Sequence, residues 1–254
     1  FYGTGQTPST IKVVDLNNDG NLDIITGNWD GGGISVLKGS NTGTFSAAVN
    51  YTTGSNPNEL KTADFNQDGF IDVAVINYNS SAKSISILLG TLSGSLTTFT
   101  TIPVGSQPDD LDLGDFNSDG ITDIVINAVN GQNAFLFYKG IGNGNFSYVN
   151  QIFIDSDVND IALEDVNHDN IPEVISSSTA YLSVLYSGGP SISISGTSSI
   201  CIGASNNLIA SGASTYTWST NENTSSITVN PLSTTIYTVI GTNSLGCQSA
   251  TTKT

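Results

Sequence analysis

The chain has 254 residues, 22 of them Asp or Glu against six Lys or Arg, which gives a formal charge of −16 with only 11% charged residues. Nucleic acid is not expected as a partner, because neutralising phosphates needs a basic face, and anionic membrane surfaces are disfavoured. Apolar residues make up 37% of the chain. They come in short bursts of Ile and Val between Thr, Ser, Tyr and dense turn residues, so the prediction is a folded, all-β chain. No apolar run approaches the roughly 18 residues that span a bilayer, so no direct membrane insertion is expected. With no signal peptide and no initiator Met, the chain reads as an excerpt, with the rest of the same polypeptide upstream and downstream as its first partner.

In chain order, four segments align on a first aspartate: DLNNDGNLDIITGN from Asp15, DFNQDGFIDVAVIN from Asp64, DFNSDGITDIVINA from Asp115 and DVNHDNIPEVISSS from Asp165. They recur about every fifty residues. Each follows a short alternating stretch (TIKVV, ELKTA, DLDLG, DIALE) and leads into a second strand (LDIIT, IDVAV, TDIVI, PEVIS) and a third (ISVLKG, SISILLG, AFLFYKG, LSVLYSG). In three repeats a turn then leads to a fourth strand: GSNTGTF from Gly39, GTLSGSL from Gly90 and GIGNGNF from Gly140. Four short strands per fifty residues predict β-propeller blades, near 1–50, 51–102, 103–152 and 153–188. The run GIGNGN is not expected to hold a dinucleotide, because no βαβ pattern surrounds it and the sister repeats carry plain hairpins there. Phe1-Tyr2 aligns with Asn50-Tyr51, so the chain is expected to begin inside a blade, and the fourth repeat shows no clear outer strand of its own.

Within each loop, positions 1, 3, 5 and 9 carry oxygen donors. They are Asp15, Asn17, Asp19 and Asp23; Asp64, Asn66, Asp68 and Asp72; Asp115, Asn117, Asp119 and Asp123; and Asp165, Asn167, Asp169 and Glu173. Position 7 (Asn21, Phe70, Ile121, Ile171) can add a backbone carbonyl. Position 6 is Gly20, Gly69 and Gly120, where the loop must turn at positive φ, and Asn170 in the fourth loop. A hard cation with six to eight oxygen ligands fits such a set, and Ca²⁺ tolerates its irregular geometry better than Mg²⁺. Three or four bound ions are expected. An EF-hand is excluded: it needs a Glu at position 12 and an exiting helix, whereas position 12 is Thr26, Val75, Ile126 or Ser176 and strands follow. The loops hold 12 of the 22 acidic residues, three in each, so four divalent ions would offset half of the formal charge.

These loops and their period resemble the FG-GAP/VCBS repeats of integrin-α-like β-propellers over residues 1–188. The resemblance implies calcium between the first two strands of each blade and a ring, commonly of seven blades, of which four are visible.

From Pro190 the acidic repeat stops. The strands SISISG, NNLIASG, TYTWST, SSITVN and TIYTVIGT, with Trp218 expected in the core and Tyr237 packing at a strand start, predict a small Ig-like β-sandwich over 190–254. Cys201 and Cys247 match neither a redox nor a zinc pattern, and a disulfide between them is expected. The region resembles Ig-like or PKD-like modules of secreted bacterial surface proteins, especially those exported by the type IX route in Bacteroidota.

Enzymatic chemistry is not expected. The single histidine, His168, occupies variable position 4 of the fourth loop, and there is no nucleophile elbow or H-E-x-x-H helix. The expected role is a secreted, cell-surface, calcium-binding and non-catalytic adhesion module with a glycan or protein ligand. The alternatives are a passive spacer or an accessory domain of a secreted polysaccharide-degrading enzyme. Trp29, Tyr78 and Tyr138 are candidate ligand-stacking aromatics, with packing as their competing role.

Overall fold

The computed structural model describes residues 1–78, 83–129, 133–154, 158–168, 171–185, 189–243 and 248–254. Every element among them is a β-strand. The first sheet runs in chain order through β1 (Pro8–Val14), β2 (Asp23–Asn28), β3 (Gly33–Leu37) and β4 (Val49–Thr52). The second comprises β5 (Pro57–Ala63), β6 (Asp72–Asn77), β7 (Ser84–Leu89) and β8 (Thr97–Pro103). The third comprises β9 (Gln107–Gly114), β10 (Asp123–Val129), β11 (Asn133–Gly140) and β12 (Phe146–Ile154). The fourth has three strands, β13 (Val158–Glu164), β14 (Glu173–Ser178) and β15 (Leu182–Leu185). All neighbours are antiparallel, and each acidic loop is the connection between the first and second strands of its sheet. The expected β-propeller-like repetition is therefore present, including the shorter fourth repeat; Tyr186, expected in its third strand, lies outside the described residues.

In the first three sheets the second and third strands are buried on both faces, which is why they read as largely apolar runs rather than alternating ones. Successive sheets meet through their first strands, β1 on β5, β5 on β9 and β9 on β13. Each joint carries its own core. Leu16, Ile25, Ile34 and Val36 of the first sheet meet Leu60, Val73, Val75 and Leu88 of the second. Phe65, Ala74, Ile85 and Ile87 meet Leu111, Ile124 and Ile126, and Phe116, Val125, Phe135 and Phe137 meet Ile161, Leu163 and Val174. Such an array is stabilised neighbour by neighbour.

The C-terminal region has six short strands, β16 (Ser193–Ser195), β17 (Asn206–Ser211), β18 (Thr215–Trp218), β19 (Ser226–Val229), β20 (Tyr237–Thr242) and β21 (Gln248–Lys253). They form two three-stranded sheets, β16-β17-β19 and β18-β20-β21, around Leu208, Ala210, Trp218, Ile227, Val229 and Val239. Trp218 is buried, and its indole N–H donates to the Thr224 carbonyl at 2.9 Å. Tyr237 opens β20 and packs against this core. The expected disulfide is not seen: Cys201 is a free, exposed thiol, and Cys247 lies outside the described residues.

Candidate metal centres

The first three loops fold alike because the same carboxylates bind the same backbone donors. At position 1, one oxygen accepts from the position-6 glycine N–H at 2.8 Å in each loop: Asp15 from Gly20, Asp64 from Gly69 and Asp115 from Gly120. The other accepts from the position-5 N–H at 3.0–3.1 Å. At position 5, Asp19, Asp68 and Asp119 each accept from the position-7 N–H, of Asn21, Phe70 and Ile121. The glycines turn at φ 86°, 90° and 81°, as expected.

Position 9 does something that residue type alone does not announce. Asp23, Asp72 and Asp123 are buried at the start of the second strands. One oxygen of each accepts from the position-2 N–H, of Leu16, Phe65 and Phe116. The other accepts from the glycine at or just past the end of the third strand, Gly39, Gly90 and Gly140, at 2.7–2.8 Å. One carboxylate thus ties the loop, the second strand and the next turn together. Those three glycines are obligatory, since a Cβ there would stand 2.1–2.3 Å from the position-8 carbonyl of Leu22, Ile71 or Thr122. The signal was present in the three turn motifs, each of which opens on that glycine.

Position 4 is the other unforeseen element. Asn18, Gln67, Ser118 and His168 all sit at positive φ, 57–63°. From there the Asn18 amide donates to the Gly69 carbonyl of the next loop at 2.7 Å, and the Gln67 amide to the Gly120 carbonyl at 3.1 Å. Adjacent loops are therefore chained.

A cation fits what remains. In the first loop the Asn17 side-chain oxygen at position 3 is buried and accepts no hydrogen bond, an arrangement that costs stability unless a donor or a cation meets it. The carboxylates keep spare capacity, since each offers about four lone-pair positions. Burial is the main force pushing the Asp123 carboxyl up to about 7; Gly140 N–H opposes it, and the neighbouring Asp119 and Asp115 charges add to it. Asp72 is raised for the same leading reason. Exposed Asp19, by contrast, is lowered by the Asn21 N–H and the flanking amides. Among the described residues, no three acidic, histidine or cysteine side chains form a metal cluster by themselves, so a bound ion would draw equally on the Asn17, Asn66 and Asn117 amides and the position-7 carbonyls. In the third loop Lys139 reaches Asp119 at 2.7 Å, and a cation would compete with that ammonium.

The fourth loop departs from this pattern. Glu173, with its longer arm, accepts from the Val166 N–H at 3.0 Å and from the Asn167 amide at 2.9 Å, while Asp169 and Asn170 lie outside the described residues. Asp165 and Ile171 are partnered within the fold. His168 is exposed.

The candidate aromatics are used in packing. Trp29 and Tyr78, both half-buried, pack against each other between the first and second repeats, with ring centroids 5.5 Å apart and planes tilted by 41°, and Tyr138 is buried against Tyr148.

A family model described as FG-GAP-like repeat matches residues 15–75, 64–126 and 115–176. Among solved structures, the chain is similar to a protein from Lactobacillus plantarum (TM-score 0.48, 11% identity, covering 100% of this chain and 86% of that one). It is also similar to the V. cholerae biofilm matrix protein Bap1 (TM-score 0.37, 16% identity, covering 97% of this chain and 59% of that one). No curated protein matches it.

Proposed function

The chain belongs to the FG-GAP-like repeat family, and from that premise we propose that it is a calcium-binding, non-catalytic adhesion or ligand-binding module of a secreted, cell-surface protein. The observation that carries the metal reading is the unpartnered Asn17 oxygen, buried beside fixed carboxylates. The loops would hold three or four Ca²⁺ through positions 1, 3, 5, 7 and 9, and each ion would brace its sheet where the first strand turns into the second. At about 100 times its Kd, each adds roughly 2.7 kcal/mol to the folded state.

The repeated sheets would sit in a closed propeller. The C-terminal region would be an Ig-like sandwich; its strand order, β16-β17-β19 against β18-β20-β21, follows the A-B-E and C-F-G order of that fold, with no D strand among the described residues. A spacer role is the second reading, favoured by the burial of Tyr138 and the packing of Trp29 against Tyr78, which leave those rings less free to stack on sugar.

Calorimetry with Ca²⁺ tests the metal. Saturable binding is expected, reduced by about one site each in Asp64→Ala and Asp115→Ala; heats that do not saturate, or that ignore both substitutions, overturn it. A glycan array run with calcium and with chelator separates adhesion from spacing.

A further inference from the structure

Two buried side-chain oxygens meet no hydrogen-bond donor among the described residues. One, on Asn17, belongs to the first loop. The other, on Asn127, lies four residues up β10 from the loop carboxylate Asp123, about 13 Å along the strand, so an ion held in the loop does not reach it. Asn127 is fully buried, and an amide oxygen left there without a partner costs stability.

What faces it is acidic. Asn127 stands directly opposite Asp110 in the β9–β10 ladder, so the two side chains share one face of the sheet, and that face meets the fourth sheet. The Asn127 amide donates to the Val158 carbonyl at the start of β13 at 3.1 Å, and Asp110 accepts from the Ile161 N–H at 2.7 Å. Between those two anchors β13 carries Asp160, whose carboxyl is hydrogen-bonded to that of Asp110. Two carboxylates so close repel, and one must carry a proton unless a cation joins them.

The other joints supply the contrast. Asp110 and Asp160 each stand five residues before the first aspartate of their loop, where the first two repeats have Thr10 and Glu59. At the first joint the Thr10 hydroxyl donates to the Glu59 carboxylate at 3.4 Å, and one acid stands alone. At the second, the Lys61 ammonium lies in the field of both Glu59 and Asp110 while bonded to Asp112. At the third, Ala162 takes the place of Lys61 and brings no charge. Of the three joints, this one sets two acids together beside a buried oxygen that accepts no hydrogen bond.

We propose that the joint between the third and fourth sheets binds a small divalent cation of the Mg²⁺ or Mn²⁺ kind through Asp110, Asp160 and the Asn127 amide oxygen, outside the four loops. Each Asp110 oxygen keeps a lone pair beyond the N–H groups of Leu111 and Ile161 that it accepts. Three side-chain oxygens, two of them from carboxylates, suit an ion that keeps several of its waters, as Mg²⁺ does, better than Ca²⁺ with its six to eight oxygen ligands. As the ion enters, the proton between the two carboxyls leaves for solvent. The ion ties one sheet to the next, whereas an ion in a loop braces a single sheet. It uses no loop ligand, so it can fail while calcium binding stands, and the reverse.

Counting bound Mn²⁺ on the whole chain tests it, by the loss of the free-ion electron paramagnetic resonance signal at pH 8. Loops built from hard oxygen donors can take Mn²⁺ too, so the site is read by difference. Asp110→Asn and Asp160→Asn should each bind one ion fewer than the wild type, and the double variant should lose that same ion and no more. Both amides keep the joint hydrogen-bonded, the one at 160 by donating where the proton was, so circular dichroism should show an unchanged fold. Asp64→Ala in the second loop is the control, and any loss it causes should add to that of Asp160→Asn. Overturning results are no bound Mn²⁺, a count that either amide variant leaves unchanged, or losses that fail to add; each would leave a shared proton as the only link between the two carboxyls.

Discussion

The repeat region and the C-terminal region are made of strands of similar composition, but they place their cores differently. In the repeats each core lies between one sheet and the next, so every sheet depends on its neighbours. In the C-terminal region two sheets face each other around Trp218 and close one core within about 65 residues. Charge divides the same way: residues 189–254 contain a single acidic residue, Glu222, whereas the repeats concentrate carboxylates at the connections from first to second strand. The contrast teaches that the carboxylates serve the connections of each repeated sheet, where they accept backbone N–H groups. A self-contained sandwich does without them.

The largest effect that would expose this division is in the sandwich. Trp218→Ala removes the centre of its core and the bond to the Thr224 carbonyl, a loss of about 3–5 kcal/mol in a typical core. The C-terminal region should unfold first, and the fluorescence of Trp29, then the sole tryptophan, should report an unfolding transition of the repeats at its wild-type denaturant concentration. A Trp29 transition that moves with the substitution would mean that the two regions fold as one unit.

Much of the repeat was legible because a loop with five constrained positions recurs every fifty residues, and strands on either side of such a loop have few ways to run. The loop's oxygen donors, its position-6 glycines at positive φ and the three-stranded fourth repeat were all readable on that basis. What stayed hidden depends on contacts between distant segments. Nothing local in Asp72 says that its second oxygen will meet Gly90, and Asn18 looks like any turn residue until the neighbouring loop is beside it. Tyr138 fell between two readings for the same reason, since only the pairing of β11 with β12 sets it against Tyr148.

A middle-sized effect tests whether the position-9 carboxylates tie the repeats as the geometry implies. Asp72→Ala leaves the Phe65 and Gly90 N–H groups without an acceptor, and unmet buried donors of this kind cost about 1–3 kcal/mol. In chelator, so that the metal plays no part, the repeat transition should move to lower denaturant while the Trp218 transition stays. If both transitions stay, the carboxylate acts only through a cation.

The smallest expected effect concerns pH and separates the two regions through a group that only the repeats contain. Asp110, on β9 at the joint with the fourth sheet, is pushed up to about 7, first by burial and then by the Asp160 carboxyl bonded to it, against the opposing N–H bonds from Ile161 and Leu111. The charged groups around it are Asp109 and Asp112 on its own strand, Glu59 and Lys61 on β5, and Asp160 on β13, with Lys61 held by Asp112 at 3.1 Å. A carboxyl whose folded pKa lies above its usual 3.8 binds a proton more tightly in the folded chain, so stability falls as pH rises between about 4 and about 7 and is flat beyond. The repeat transition should therefore weaken from pH 5 to pH 8 in chelator, and the sandwich, with Glu222 as its one acid, should change far less. Asp110→Asn keeps an acceptor for the Ile161 N–H but cannot ionise, so it should reduce the slope of the repeat profile and leave the share due to Asp72 and Asp123, whose pKa values burial also raises; a slope unchanged by the substitution would assign the whole pH dependence to those loop carboxylates.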